Sequence, residues 1–410
     1  MTTFSKDVKI SLLIFILSFG LYLSTITSNF ALAHDSVSYL NIINSNVWDF
    51  HPHHLMYFPF NKLIKLFFVD LLGLNIPSYI VYSGINSFFG SLTLLIIFRN
   101  FRILQGISLQ KSLSLILLIG FSFGFWFYSI CIETYIIPIF FLFSVYYYLV
   151  KNKIEESNMN YYIIGLMSGL ATIFHQIYVL LFPIILIYFI IEKRKYYSIF
   201  IFTLMYCLAV GVAYFSVILF VEKIYTLDEI ISWLTLYNNN GNINYWVKPG
   251  IKSLFLASIG FLRTFFATHF LFAIAGVDSY LKSKFANNFL EDELFLVRNL
   301  NPTVAAIFFI SYISSCLFVI KRLIFDRLKG TAFKAESFLI LFTVIFTLFF
   351  LFWSPDNLEF WIPQQMIFCI YFVLKTKFTK FTYLLALTLS LIHISEPTRL
   401  RRISYAVFCL

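Results

Sequence analysis

Charge is what this sequence has little of: 12% of its 410 residues are Asp, Glu, Lys or Arg, where a soluble domain carries about a quarter. A chain this poor in charge cannot clothe a surface in water. That excludes a water-soluble enzyme, a disordered chain and a nucleic-acid-binding protein. Cysteine is sparse too. The five cysteines, Cys131, Cys207, Cys316, Cys369 and Cys409, are scattered with no CxxC pair, so neither a disulfide framework nor a metal knuckle is indicated. What the chain has instead is apolar bulk, 60% of its residues, gathered into blocks of transmembrane length. The net charge of +10 falls largely in short loops between those blocks, where it reads as topology rather than as nucleic-acid binding.

The blocks run at 8–24, 77–98, 112–130, 133–150, 161–174, 176–191, 199–221, 253–275, 301–320, 335–353, 359–375 and 380–393. Each is expected to be helical, because lipid satisfies no backbone amide. The stretch 161–191 is read as two helices, since one would span about 46 Å at 1.5 Å per residue. Basic clusters at Lys6/Lys9, Arg99/Arg102/Lys111, Lys151/Lys153, Lys193–Lys195, Lys321–Lys334 and Lys375–Lys380 mark the cytoplasmic side. Parity then favours eleven crossings, with twelve as the alternative. The doubtful block is 253–275, which carries Arg263 and His269 and is read as re-entrant or lying along the membrane. The first block is expected to be a retained helix rather than a cleaved signal peptide, despite Ala31-Leu32-Ala33. The tail 394–410 (SEPTRLRRISYAVFCL from Ser395) resembles a translated sequencing adapter, so the natural chain is expected to continue past about His393 with other residues. The fold class is therefore an all-α polytopic membrane protein: one domain over 1–393, with an outer loop at 25–77 and an outer or re-entrant region at 222–300.

That topology collects the unusual polar residues on one face. The first outer loop holds His34, Asp35, Asp49, His51, His53 and His54, four of the seven histidines. Asp35 to Asn44 can form a helix with Asp35 and Tyr39 on one side. Phe60 to Leu72 mixes lysines with Leu, Ile and Phe, the composition of an interfacial amphipathic helix. Pro52 and Pro59 are expected to break the chain between them. Farther on, Glu133 and Trp126 are seven apart and so share a face if one helix carries both. A carboxylate among apolar neighbours is costly unless it is paired or faces a cavity. His175 ends its block. Asp356 and Glu359 lie between Trp353 and Trp361, and Asn238–Asn240 open a polar stretch. Taken singly, the tryptophans suit an aromatic belt, the Asn run an ordinary loop, and His175 a hydrogen-bonded helix end. As a group, Asp35, Glu133, His175 and Glu359 come from distant segments yet map to one side. His51-x-His53-His54 with Asp49 offers a divalent-metal site, but phosphate binding by these histidines is the stronger reading. Gly120/Gly124 and Gly165/Gly169 have the spacing of close helix contacts.

These residues resemble the GT-C superfamily of integral-membrane glycosyltransferases, most of all its protein O-mannosyltransferase-like branch. The loop HPHHLMYFP (51–59) and the helix WFYSICIETY (126–135) look like that branch's "HPPGYPL" and "W…A…EVY" motifs. The likeness covers about 8–191; beyond 200 only the architecture and LEFWIP (358–363) carry it. His53 and His54 stand where the family has glycine and proline, which puts donor or acceptor choice in doubt. The resemblance implies transfer of a sugar from a polyprenyl-phosphate donor to a protein, lipid or glycan hydroxyl, with inversion, at the outer face of the plasma (inner) membrane. Asp35 would be the general base and Glu133 would orient the acceptor, a histidine or a loop backbone. His34, His51, His53, His54, His175, Arg263 and Glu359 would form the substrate-binding set, with His53, His54, His175 and Arg263 as partners of the phosphate. No cofactor is implied. The rivals are a transporter or lipid flippase and a non-catalytic scaffold.

Overall fold

The computed structural model describes residues 2–26, 35–235, 246–248, 250–266, 333–375 and a few positions between 276 and 321. Four sequence-based expectations lie outside these residues: the role of His34, the Asn238–Asn240 loop, the span at 380–393 and the tail. Most of 301–320, and His269, lie outside them too.

The described chain is helical, with one isolated antiparallel bridge between Trp246 and Trp353. The helices are α1 (Thr2–Thr25), α2 (Ser36–Asn44), α3 (Tyr57–Lys65), α4 (Ser78–Phe98), α5 (Leu109–Gly120), α6 (Phe123–Ile130) and α7 (Ile136–Ile154). They continue as α8 (Asn158–Phe174), α9 (Leu181–Ile191), α10 (Tyr196–Ser216), α11 (Leu227–Leu234), α12 (Ile251–Phe266), α13 (Glu336–Phe352) and α14 (Ile362–Lys375). Three helical stretches, Lys6–Thr25, Ser78–Leu104 and Tyr196–Glu222, are long and apolar enough to cross a membrane. Outward chains on α10 (Phe200, Leu204, Leu208, Val212, Phe215) are exposed and recur at near-helical spacing, as a lipid-facing stripe does.

A row of neighbours, α1–α4–α7–α8–α10, forms the body. Glycine sets its tightest contact. A Cβ on Gly165 would lie 2.6 Å from the Phe202 carbonyl, and one on Gly169 would lie 2.6 Å from Ala209 Cβ. The small-xxx-small spacing of α8 is thus used against the α10 backbone. Gly165→Leu is expected to cost about 1–3 kcal/mol through overpacking, read as a lower thermal midpoint of the detergent-solubilised protein.

Three local expectations need correction. The block 112–130 is two helices, α5 and α6, bent by 62°. Side chains satisfy the carbonyls exposed at the break: Tyr22 Oη, from α1, donates to Gly120 O at 3.0 Å, and Ser122 Oγ, within the break, to Ile119 O at 2.7 Å. Glu133 does not share a helix face with Trp126. Helix α6 stops at Ile130, and residues 131–135 form a buried irregular linker before α7. Pro59 breaks nothing; it lies in the first turn of α3, where a missing N–H removes no helical bond. The division at 161–191 falls as expected, at His175, whose backbone is extended (φ −155°).

Candidate functional site

The buried linker 131–135 is the foundation of the site. Irregular backbone away from water must find partners for its amides and carbonyls. Here the partners are polar side chains of α4. Asn86 Nδ2 donates to Cys131 O and to Glu133 O, each at 2.7 Å, and Ser87 Oγ donates to Ser129 O at 2.8 Å. Ser36 Oγ, from the first turn of α2, donates to Ile132 O at 3.1 Å. The linker is thereby tied to α2, which carries Asp35 at its N-terminus.

The histidine turn is fixed in a similar way. Pro52 opens a single turn of 3-10 helix over 52–54, and His51 Nδ1 caps it by accepting from His53 N at 3.3 Å. Tyr214 Oη of α10 donates to Pro52 O at 2.7 Å, and Met56 N donates to Ile173 O at 3.0 Å. The turn is thus clamped against the end of α8. His175, at the break between α8 and α9, caps the following turn through Nδ1, which accepts from Ile177 N at 3.4 Å. These clamps set the His54 and His175 rings 4.6 Å apart, edge to face. His51 stacks on His54 at 5.7 Å, and His53 lies 5.3 Å from His51.

Glu359 closes the cluster from the C-terminal half. Its carboxylate accepts from Tyr135 Oη at 2.5 Å, Asn357 Nδ2 at 2.6 Å and Tyr128 Oη at 3.0 Å. The Tyr135 ring in turn lies 5.1 Å from His175. On the opposite side, Tyr39 Oη donates to Asp35 Oδ2 at 3.3 Å, and its ring faces His54 at 6.3 Å. Asp35, His51, His53, His54, Glu133, His175 and Glu359 therefore form one constellation drawn from five separate segments.

Arg263, a phosphate partner by expectation, lies against the loop that carries Glu359. It is buried, and its Nη1 donates to Asp356 O at 2.9 Å. Beside it, Thr264 Oγ1 donates to Leu358 O at 2.7 Å, so α12 holds the 354–361 loop that presents Glu359. The metal expectation for His51, His53, His54 and Asp49 finds no support. Among the described residues no three His, Cys, Asp or Glu side chains group as metal ligands.

Burial decides the charge states. It lowers His53 to about 4 and His175 to about 3, and neighbouring histidines push the same way. His54 falls well below its usual value for the same two reasons. Burial thus favours the neutral imidazole form of His53, His54 and His175. An arriving anion would favour their protonation. Burial raises Glu359 to about 7 and Glu133 well above the carboxylate range; the charge of Asp35 adds to the rise at both. Several buried polar atoms in this region lack a hydrogen-bond partner, among them His54 Nδ1, His175 Nε2 and Glu133 Oε2. Native structures seldom leave such atoms unsatisfied unless a ligand or water completes them.

The histidine shifts give a stability prediction. A group lowered in the folded state contributes stability above its unfolded value, and that stability is lost as pH falls. The histidines' own contribution should decline as pH drops from 6.5 toward about 3, while Glu359, raised in the folded state, contributes in the opposite sense as pH falls through about 7. His175→Gln should make the decline shallower, read as thermal midpoints across that range.

Sequence reasoning missed Asn86, Tyr128, Tyr135 and Tyr214. Only the presence of Asn86 within an apolar block could have drawn attention. Chemically, the constellation can take a proton at Asp35, hold a polar ligand through neutral imidazoles and a buried carboxyl, and exclude bulk water from its inner wall. No family model matches the chain, and no curated protein matches it.

Proposed function

We propose that the chain is a membrane glycosyltransferase that moves a sugar from a polyprenyl-phosphate donor to an acceptor hydroxyl at the outer membrane face. The observation that supports this reading most is the convergence of Asp35, Glu133, His54, His175 and Glu359, with unpartnered polar atoms on three of them. Asp35 takes the proton of the acceptor hydroxyl. The acceptor oxygen forms a bond to the anomeric carbon as the bond from that carbon to the phosphate oxygen breaks. Polyprenyl phosphate leaves with the electron pair, and attack opposite the leaving group inverts the linkage. A phosphate leaving group needs little protonation but gains from nearby donors. The buried histidines supply these, and they become cationic as the phosphate docks. The donor enters sideways from lipid, and the acceptor is a protein, lipid or glycan.

This reading places the site on the outside of a bundle of eleven or twelve spans in the plasma (inner) membrane. Exposed positions on the two proposed faces test this sidedness. Asn46→Cys and Asn158→Cys, at exposed positions, are expected to behave oppositely. Added label from an impermeant thiol reagent should appear on intact cells for the first and only after lysis for the second.

A second reading, a transporter or flippase, draws on one feature. The α8–α9 break falls at His175, inside the polar cluster, as broken helices line transporter sites. Membranes offered radiolabelled polyprenyl-phosphate sugars separate the two readings. Label covalently joined to an acceptor supports transfer. Label that crosses sealed vesicles still attached to lipid supports the flippase.

A further inference from the structure

Glu133 is the least compensated charge-bearing group in the cluster. It is 2% exposed. Among the described residues it makes no ion pair, and its Oε2 has no hydrogen-bond partner. Its ionisable neighbours are Asp35 and Glu359, which oppose its charge, together with Tyr57, Tyr128, Cys131 and Tyr135. The Ser36 hydroxyl and the Thr134 N–H temper its rise without reversing it. The Asn86 amide, the strongest nearby donor, is spent on the backbone oxygens of Cys131 and Glu133. A buried carboxyl with carboxylate neighbours and no cation keeps its proton rather than bear the cost of an isolated charge. Held that way, it is a hydrogen-bond donor, which an ionised carboxylate is not.

We propose that Glu133 works as an uncharged carboxylic acid, donating its O–H to an oxygen of the sugar or acceptor beside Asp35. Two carboxyls in one site then have distinct tasks, set by their surroundings. Asp35, partly exposed, accepts the proton that leaves the acceptor. Glu133 keeps its own proton throughout and fixes the oxygen it touches. The inference rests on the glycosyl-transfer reading for its substrate, but not for its protonation state.

Two measurements test it. In membranes carrying wild type, Glu133→Gln, Glu133→Asp or Glu133→Ala at matched levels, sugar transfer should be near wild type for Gln, whose amide also donates. Ala removes the donor and Asp withdraws it by a methylene; each should lose about 10²–10³-fold. Gln as inactive as Ala would overturn the proposal. The second readout needs no substrate. Infrared spectra of the reconstituted protein at pH 8 should contain the C=O stretch of a buried protonated carboxyl, lost in Glu133→Gln and kept in Glu359→Gln. No such band in wild type would overturn the proposal. If wild type transfers no sugar, the glycosyl-transfer reading fails on its own, and the infrared band still decides whether Glu133 is neutral.

Discussion

Asp35→Asn should abolish sugar transfer while leaving the protein folded and at normal abundance. Asparagine keeps the shape and can still take part in the contact with Tyr39 Oη, but it cannot accept a proton from an acceptor hydroxyl at neutral pH. General-base catalysis is worth about 10²–10⁴-fold, and the loss in initial rate should fall in that range. The donor should still bind, since its partners are histidines on other segments, so the effect should appear in the maximal rate more than in the donor concentration needed. A variant with a normal rate would remove Asp35 as the base.

The second large effect belongs to Glu359→Ala. This carboxylate is an internal tie more than a ligand-binding group: Tyr128, Tyr135 and Asn357 all donate to it. Truncation leaves those donors facing an apolar void. Each buried polar group left unpartnered costs about 1–3 kcal/mol. Loss of the Tyr135 anchor also frees the ring that lies against His175. The expected result is a markedly lower thermal midpoint together with impaired transfer. Glu359→Gln, which keeps an acceptor for some of these bonds, should recover most of the stability. Equal midpoints for Ala and wild type would show that the three-donor tie is unimportant.

Much of this arrangement could be read from the residues. Hydropathy located most helices because a long apolar run has one stable form in lipid. The Asp35–Tyr39 pairing followed from helical spacing, and the division at His175 from the length of the stretch around it. Gly165 and Gly169 announced a close contact, though not its partner. Other features were hidden for physical reasons. The break at residues 121–122 carries no proline; it is held by Tyr22 and Gln365 from remote helices, and sequence periodicity does not register such partners. For the same reason Glu133 read as helical. Its linker is stable only because Asn86 and Ser87, more than forty positions earlier in the chain, meet the exposed backbone. Arg263 read as a phosphate partner because a phosphate needs positive groups; its hydrogen bond to the Asp356 carbonyl comes from a loop that sequence does not place beside it. The histidines were placed together by sequence, but their neutrality follows from burial that only the packed structure supplies.

Reconstitution tests the proposed chemistry most directly. Purified wild type and Asp35→Asn would be placed in lipid nanodiscs with one radiolabelled polyprenyl-phosphate sugar and one acceptor chosen from the membrane screen. The expected result is label covalently bound to the acceptor, with inverted anomeric configuration and stoichiometric release of polyprenyl phosphate, for wild type alone. Label that stays on the lipid with wild type, or equal transfer by both proteins, would contradict it.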